Sequence, residues 1–169
     1  MNAMLAAWNA ASRADALEAM LACCGARRWA EAMVEKRPMQ NIVALSEEAD
    51  RTWATMKDGD LIEAFACHPR IGERTRGHMA TQSAVWSRQE QSSADAADAH
   101  VMTELAALNE LYEQRFGFTY IVCATGKSAE EMLAILKRRL ESDRASELRE
   151  AAEQQRLILQ IRLGKWLAQ

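Results

Sequence analysis

The chain has 169 residues, of which 49% are apolar and 27% charged, and its 21 basic and 24 acidic residues leave a net charge of −3. That length is read as a single domain, residues 1–169, able to bury a core without staples. The interspersed charges exclude the one-signed field that nucleic acid or an anionic membrane would need.

No stretch approaches the ~18 uninterrupted apolar residues of a membrane span. The N-terminus lacks the basic-then-apolar layout of a signal peptide, so a cytoplasmic location is expected. Cys23, Cys24, Cys67 and Cys123 form no CxxC pair and sit among apolar neighbours, as reduced thiols do.

Only two prolines and seven glycines interrupt a chain rich in Ala, Leu, Met, Glu and Arg. That balance favours helices connected by short turns, and the segments taken in order below add up to a bundle of about seven to nine of them. Ser12 with Asp15 reads as an N-cap, and Gly25 as the left-handed terminator of the helix that Ser12 opens. A second helix passes through Trp29, Met33 and Val34 and stops before Pro38. A third spans roughly Ile42 to Met56, with Leu45, Ala49 and Trp53 on one face, and Asp58-Gly59-Asp60 is expected to break it and cap a short helix ending near His68.

The stretch from Arg70 to Thr81, with Gly72 and Gly77, has no periodicity and reads as a loop. A helix resumes near Ser83 or Ala84 and carries Ser87, Glu90 and Gln91. Val101, Leu105, Leu108 and Tyr112 then recur at helical spacing. The β-branched and aromatic run from Phe116 to Ala124 predicts one short extended, strand-like segment near Tyr120–Ala124. Ser128 with Glu131 is a capping box for a helix bearing Leu133, Leu136 and Leu140, and a last helix runs from about Ser146 to Trp166.

His68 precedes Pro69 at the end of the apolar turn Leu61, Ile62, Ala64, Phe65. Proline drives the preceding residue out of the α region, so this imidazole is fixed in direction at a helix exit. Imidazole is the side chain suited to proton exchange near neutrality, although such a residue can also merely end a helix. Ser87 and Glu90, three apart, share a helix face and either converge on a ligand or form a solvated polar surface. Arg115 sits in a last helical turn, where a cation suits the macrodipole with or without a ligand.

The Tyr120–Ala124 run either threads the core or offers its backbone groups to a planar, amide-rich molecule. His68, His78 and His100 fall into no metal-ligand spacing, and no P-loop, GxGxxG or GxSxG sequence occurs. Neither a metal nor a cofactor is therefore expected.

Three segments in this order resemble one family: Phe65-Ala66-Cys67-His68-Pro69-Arg70-Ile71-Gly72, Ser87-Arg88-Gln89-Glu90-Gln91, and the stretch from Tyr112 through Arg115 to Ala124. They are similar to the 2-oxo-4-hydroxy-4-carboxy-5-ureidoimidazoline (OHCU) decarboxylases, which act last in the oxidation of urate to allantoin. Cys23-Cys24-Gly25, Trp29 and Arg37-Pro38 add weaker support.

The resemblance implies an all-α, cofactor-free decarboxylase that forms a homodimer, takes OHCU as substrate and releases (S)-allantoin. It puts the catalytic histidine on His68 and substrate contacts on Pro69, on Ser87, Arg88, Gln89, Glu90 and Gln91, and on Tyr120, Ile121, Val122, Cys123 and Ala124. His68 is assigned proton delivery and Glu90 the acceptance of ring or ureido N–H groups, with Arg115 a weaker partner for an anionic group.

Two departures stand out. Arg70 occupies a position where some relatives carry an acid, and Leu167-Ala168-Gln169 is not the peroxisomal tripeptide of eukaryotic members. A bacterial cytosolic form is the simpler expectation. The rival reading is a non-catalytic helical module that binds a purine-like ligand or a partner protein without turnover. A structural dimerisation bundle would need a heptad seam, which is missing.

Overall fold

In a computed structural model, residues 2–71, 82–90 and 99–169 are described. Among these residues there are nine α-helices and no strand, as the all-α expectation requires. The chain divides into two compact units, one comprising Met1–Ala64 and Arg156–Gln169 and the other Phe65–Gln155.

The first unit contains α1 (Ala3–Ala10), α2 (Arg13–Cys23), α3 (Arg27–Glu35), α4 (Ile42–Trp53), most of α5 (Asp58–Ala66) and the end of α9 (Arg144–Leu167). The sequence pattern does not announce α1, which Asn2 caps by accepting from the Leu5 N–H. Ser12 accepts from the Asp15 N–H and opens α2 as expected. That helix ends on Cys24, whose backbone is extended (φ −147°, ψ 123°), and not on a left-handed Gly25. The left-handed glycines are Gly117 and Gly126.

Helix α4 stops at Trp53, short of Met56. Asp58-Gly59-Asp60 forms the first turn of α5 and caps it as expected, the Asp60 carboxylate accepting from the Lys57 N–H at 2.9 Å, whereas the break between the two helices lies upstream of it. Acids in a first turn complement the macrodipole, which explains why this triplet starts a helix.

Trp29 is the anchor of this unit's core: it is fully buried, and its indole N–H donates to the Ala49 carbonyl at 3.1 Å. Trp8 and Trp166 meet edge to face at 6.1 Å. Arg37, next to the cis Pro38, donates to the carbonyls of Trp8 (2.7 Å) and Ala11 (3.0 Å) at the end of α1, the first of which also accepts from the Ala11 N–H. Burial, reinforced by Cys24 and opposed by Arg162, pushes the Cys23 thiol up to about 12. The cysteines hold thiols and no disulfide, as expected.

The second unit contains α6 (Gln82–Glu90), α7 (Ala99–Phe116), α8 (Ala129–Arg139) and the start of α9. Helix α7 ends at Gly117, whose φ of +80° suits glycine and whose N–H donates to the Glu113 carbonyl at 2.8 Å. Rings of Tyr112, Phe116, Phe118, Tyr120 and Phe65 then interlock, with centroids 4.7–6.2 Å apart in the contacting pairs. Ser128 and Glu131 form both halves of the expected capping box.

The run from Phe118 to Ala124 is neither helix nor strand, and all of it except Thr119 is buried. The segment expected to be strand-like near Tyr120–Ala124 is thus non-helical, as read, but irregular chain and not a strand.

Arg139 and Glu147, each 1% exposed, form an ion pair inside this unit. The guanidinium also donates to the Ile121 carbonyl at 2.6 Å, lies over the Tyr120 ring at 4.9 Å, and has the Tyr112 hydroxyl within 3.3 Å. That hydroxyl donates to Glu147 at 2.5 Å. Desolvation is the largest single influence and works against the Arg139 charge, but the hydrogen bond to Glu147 together with the charge interactions with Tyr112, Glu147 and Tyr120 outweighs it, and the cation is held above its ordinary range. Burial likewise pushes the Tyr112 and Tyr120 phenols upward, so both stay neutral.

Removing one partner of such a pair leaves an uncompensated buried charge. Arg139→Met is expected to cost about 3–5 kcal/mol in urea unfolding, and a loss below about 1 kcal/mol would mean that the pair is solvated.

Candidate active site

Every candidate residue among the described residues lies in the unit Phe65–Gln155. Gln91, expected to contact substrate, lies outside the described residues, as does most of the loop predicted after Arg70, including His78.

His68 sits where the sequence places it, just beyond α5. Its backbone N–H donates to the Phe65 carbonyl at 3.1 Å, closing the last turn, and its side chain is half-buried. Both flanks of the His68-Pro69 pair are tied down. Upstream, the fully buried Phe65 packs against Phe118 at 5.5 Å. Downstream, Arg70 makes a two-pronged contact with Glu113 of α7, Nε to Oε1 at 2.9 Å and Nη2 to Oε2 at 2.6 Å. This fork is the local bonding of the residue that departs from the family pattern, and it brings the histidine bend beside the end of α7.

On α6 the side chains divide. Ser87 and Glu90 are buried (3% and 9% exposed), together with Ala84 and Trp86, whereas Arg88 and Gln89 face solvent. The solvated-surface alternative therefore fails for Ser87 and Glu90 and holds for the two residues between them. A buried serine and carboxylate one turn apart form a polar strip on an inward face. Arg115 is exposed and is engaged elsewhere: its guanidinium donates to the Ser142 carbonyl at 3.1 Å and rests on the Phe116 ring.

Tyr120, Ile121, Val122, Cys123 and Ala124 are 2–7% exposed, which demands partners for their backbone. Side chains of the protein supply several. Arg139 donates to the Ile121 carbonyl at 2.6 Å, the Cys123 N–H donates to Gln154 at 2.9 Å, and Lys127 donates to the Cys123 carbonyl at 2.8 Å. The Tyr120 hydroxyl donates to the Met132 carbonyl at 3.1 Å, so this phenol is an anchor to α8.

Sequence reasoning missed these supporting residues. For Arg139 a signal existed: Ala129, Met132, Leu133 and Leu136 mark the buried stripe of α8, and Arg139 continues it. For Gln154 and Lys127 none did, because each resembles an ordinary surface side chain.

A sequence model described as OHCU decarboxylase matches residues 9–164. The chain belongs to the OHCU decarboxylase family. The chain is similar to the Arabidopsis thaliana uric acid degradation bifunctional protein TTL, with 36% identity over 85% of this chain and 44% of that protein. It is also 25% identical to the 2-oxo-4-hydroxy-4-carboxy-5-ureidoimidazoline decarboxylase of Haloferax volcanii, over 80% of this chain and 79% of the other. This family member thus spans less than half of the Arabidopsis relative.

A crystal structure of OHCU decarboxylase in the presence of (S)-allantoin superposes with a TM-score of 0.78 at 33% identity, covering 90% of this chain and 99% of that one. Among the described residues, no helix is long and apolar enough to cross a membrane, and no cluster of three or more His, Cys, Asp and Glu has metal-holding geometry.

Thiol labelling reads the burial of this region directly. In the native OHCU decarboxylase family member at pH 8, Cys67, half-buried beside His68, should react first, while Cys23, Cys24 and Cys123 wait for unfolding. Mass spectrometry of the alkylated protein checks this. Labelling of Cys123 as fast as Cys67 would show that the Tyr120–Ala124 run is not packed.

Proposed function

We propose that this chain is a cofactor-independent carboxy-lyase that converts OHCU to (S)-allantoin and carbon dioxide in urate degradation. The observation that carries the reading is the family match across residues 9–164, with His68, Ser87 and Glu90 present in a single compact unit. We read the whole chain as one catalytic domain that works in the cytoplasm as a homodimer, with no nucleic-acid or membrane partner.

The substrate's own structure supplies the electron sink. Its carboxyl and hydroxyl groups share one ring carbon, and the neighbouring, ureido-bearing carbon is unsaturated. When the carbon–carbon bond to the carboxylate breaks, its electron pair moves toward that neighbour and carbon dioxide leaves. The pair of that neighbour's double bond shifts onto its nitrogen; a proton then goes to the ureido-bearing carbon, while the hydroxyl's proton passes to that nitrogen and the hydroxyl-bearing carbon becomes the ring carbonyl. Such a route needs neither pyridoxal, thiamine nor metal.

The protein's tasks are orientation and one-sided protonation. His68, fixed at a helix exit and braced by the Phe65–Phe118 and Arg70–Glu113 contacts, delivers the proton. Pro69 sets its direction. The buried Glu90 accepts from ring or ureido N–H groups, with Ser87 beside it and Gln91 completing that wall. The exposed Arg88 and Gln89 are at most marginal contacts, and Arg115, turned to the Ser142 carbonyl, is a poor anchor for the carboxylate. Backbone groups of Tyr120 through Ala124 meet the ligand's carbonyl and amide groups.

Generating the unstable substrate in situ from urate and following circular dichroism of the allantoin tests this reading. The protein should accelerate formation of one enantiomer, and racemic product at the spontaneous rate would favour a binding module. His68→Asn should lower the catalysed rate by about 10²–10⁴-fold with the fold intact, and activity within a few-fold of wild type would remove His68 from the mechanism. Glu90→Gln replaces a charged acceptor by a neutral one and should weaken allantoin binding about tenfold in calorimetry. Unchanged affinity would move the polar wall elsewhere.

A further inference from the structure

We infer that Gln154 and Lys127 are positioning residues, which clamp the two peptide groups flanking Cys123 and so aim the Val122 carbonyl and the Ala124 N–H at the substrate. The inference rests on the reading of the Tyr120–Ala124 run as a substrate wall.

The geometry is specific. The Cys123 N–H donates to Oε1 of Gln154 at 2.9 Å, and the Cys123 carbonyl accepts from Nζ of Lys127 at 2.8 Å. A trans peptide group is planar, with N–H and C=O directed oppositely. Holding the Cys123 N–H toward α9 therefore turns the Val122 carbonyl, in the same peptide plane, away from α9. Holding the Cys123 carbonyl toward Lys127 turns the Ala124 N–H away from Lys127. One acceptor and one donor are thus directed in close succession, which matches a ureido or imidazolinone group presenting N–H beside C=O.

Each clamp is itself oriented. Nε2 of Gln154 donates to Glu150, one turn back on α9, at 3.2 Å, and this leaves Oε1 to face Cys123. Lys127 is brought back over the run by a tight turn in which its N–H donates to the Ala124 carbonyl at 2.9 Å and Gly126 takes a φ of +78°. Gln154 and Lys127 are only half-buried, so they stand at the margin of the packed run and not in its core.

A residue that merely stabilises the fold would lower melting temperature and the active fraction, leaving KM alone. A residue that aims substrate-binding backbone changes uniform binding, which appears in KM and not in kcat. Gln154→Met removes the acceptor at nearly constant size, and Lys127→Met removes the donor. Each variant should raise KM and the allantoin Kd about tenfold while kcat stays within about twofold. Gln154→Glu and Lys127→Arg keep an acceptor and a donor in place and should restore most of the affinity.

If Gln154→Met and Lys127→Met both leave KM and Kd within about twofold of wild type while His68→Asn abolishes turnover, the positioning role is wrong and the active site stands. Loss of kcat alone, or failure of both conservative variants to rescue, would also overturn it. A wild-type protein that neither turns over substrate nor binds allantoin would overturn the functional reading and this inference with it.

Discussion

The desolvated guanidinium of Arg139 is the constraint on which the candidate site's unit depends. A cation with 1% exposure requires a counter-charge and full use of its donors, and Glu147, the Ile121 carbonyl and the Tyr112 hydroxyl surround it. These partners come from α9, the irregular run and α7, while Arg139 ends α8. One side chain thereby links all four elements. The ring of Tyr120 lies against the same cation, and its hydroxyl reaches back to α8, so the run is held by a charge, a face and a phenol at once. A purely apolar core would bury comparable surface without dictating the direction of the Ile121 carbonyl.

That directional control matters for the chemistry proposed. Decarboxylation into an adjacent unsaturated system needs little from the protein at the bond that breaks, and much at the atoms that do not react. The carboxylate must lie out of the ring plane, and one ring face must meet the proton donor. Orientation of this kind is supplied by groups already fixed before the ligand arrives. His68 meets that condition through two braces: an aromatic contact three residues before it and a bidentate ion pair two residues after it. The pair is partly solvent-exposed, so its contribution to global stability is small, and its effect is on the direction of the bend.

Local rules were readable where the information is local. The caps at Ser12 and Ser128, the helix exit before Pro69 and the non-helical character of the Phe118–Ala124 run all follow from residues within one turn of each other. Where two local rules competed, the reading slipped. Asp58-Gly59-Asp60 can break a helix or begin one; the Lys57 N–H to Asp60 bond supplies the expected cap of α5, and only the break is misplaced, because α4 has already stopped at Trp53. Gly25 suits a left-handed terminator, yet α2 closes on an extended Cys24, because a single glycine only permits a left-handed end and the exact terminal residue is weakly specified by local sequence. At the candidate site the inward face of α6 was legible as a spacing of three, and the outward turn of Arg88 and Gln89 follows from the same helical geometry. The long-range partners were not legible: Arg70 with Glu113 spans 43 positions and Cys123 with Gln154 spans 31, and no local pattern encodes either.

The use of an irregular segment in an otherwise helical protein has a physical reason. Within a helix nearly every N–H and C=O is consumed by the i to i−4 ladder, so a helical wall can address a urea-like ligand only through side chains and termini. A stretch of buried chain outside any ladder offers backbone donors and acceptors at short spacing, but each unmatched group costs free energy. Here Arg139, Gln154 and Lys127 satisfy one group in each of three successive peptide units: the Ile121 carbonyl, the Cys123 N–H and the Cys123 carbonyl. Because peptide planes are rigid, satisfying one group of each unit also directs the other. On the function proposed, the bonds that make an irregular segment tolerable in the interior are the same bonds that would pre-organise it for a ligand, so that burial and recognition share one cause.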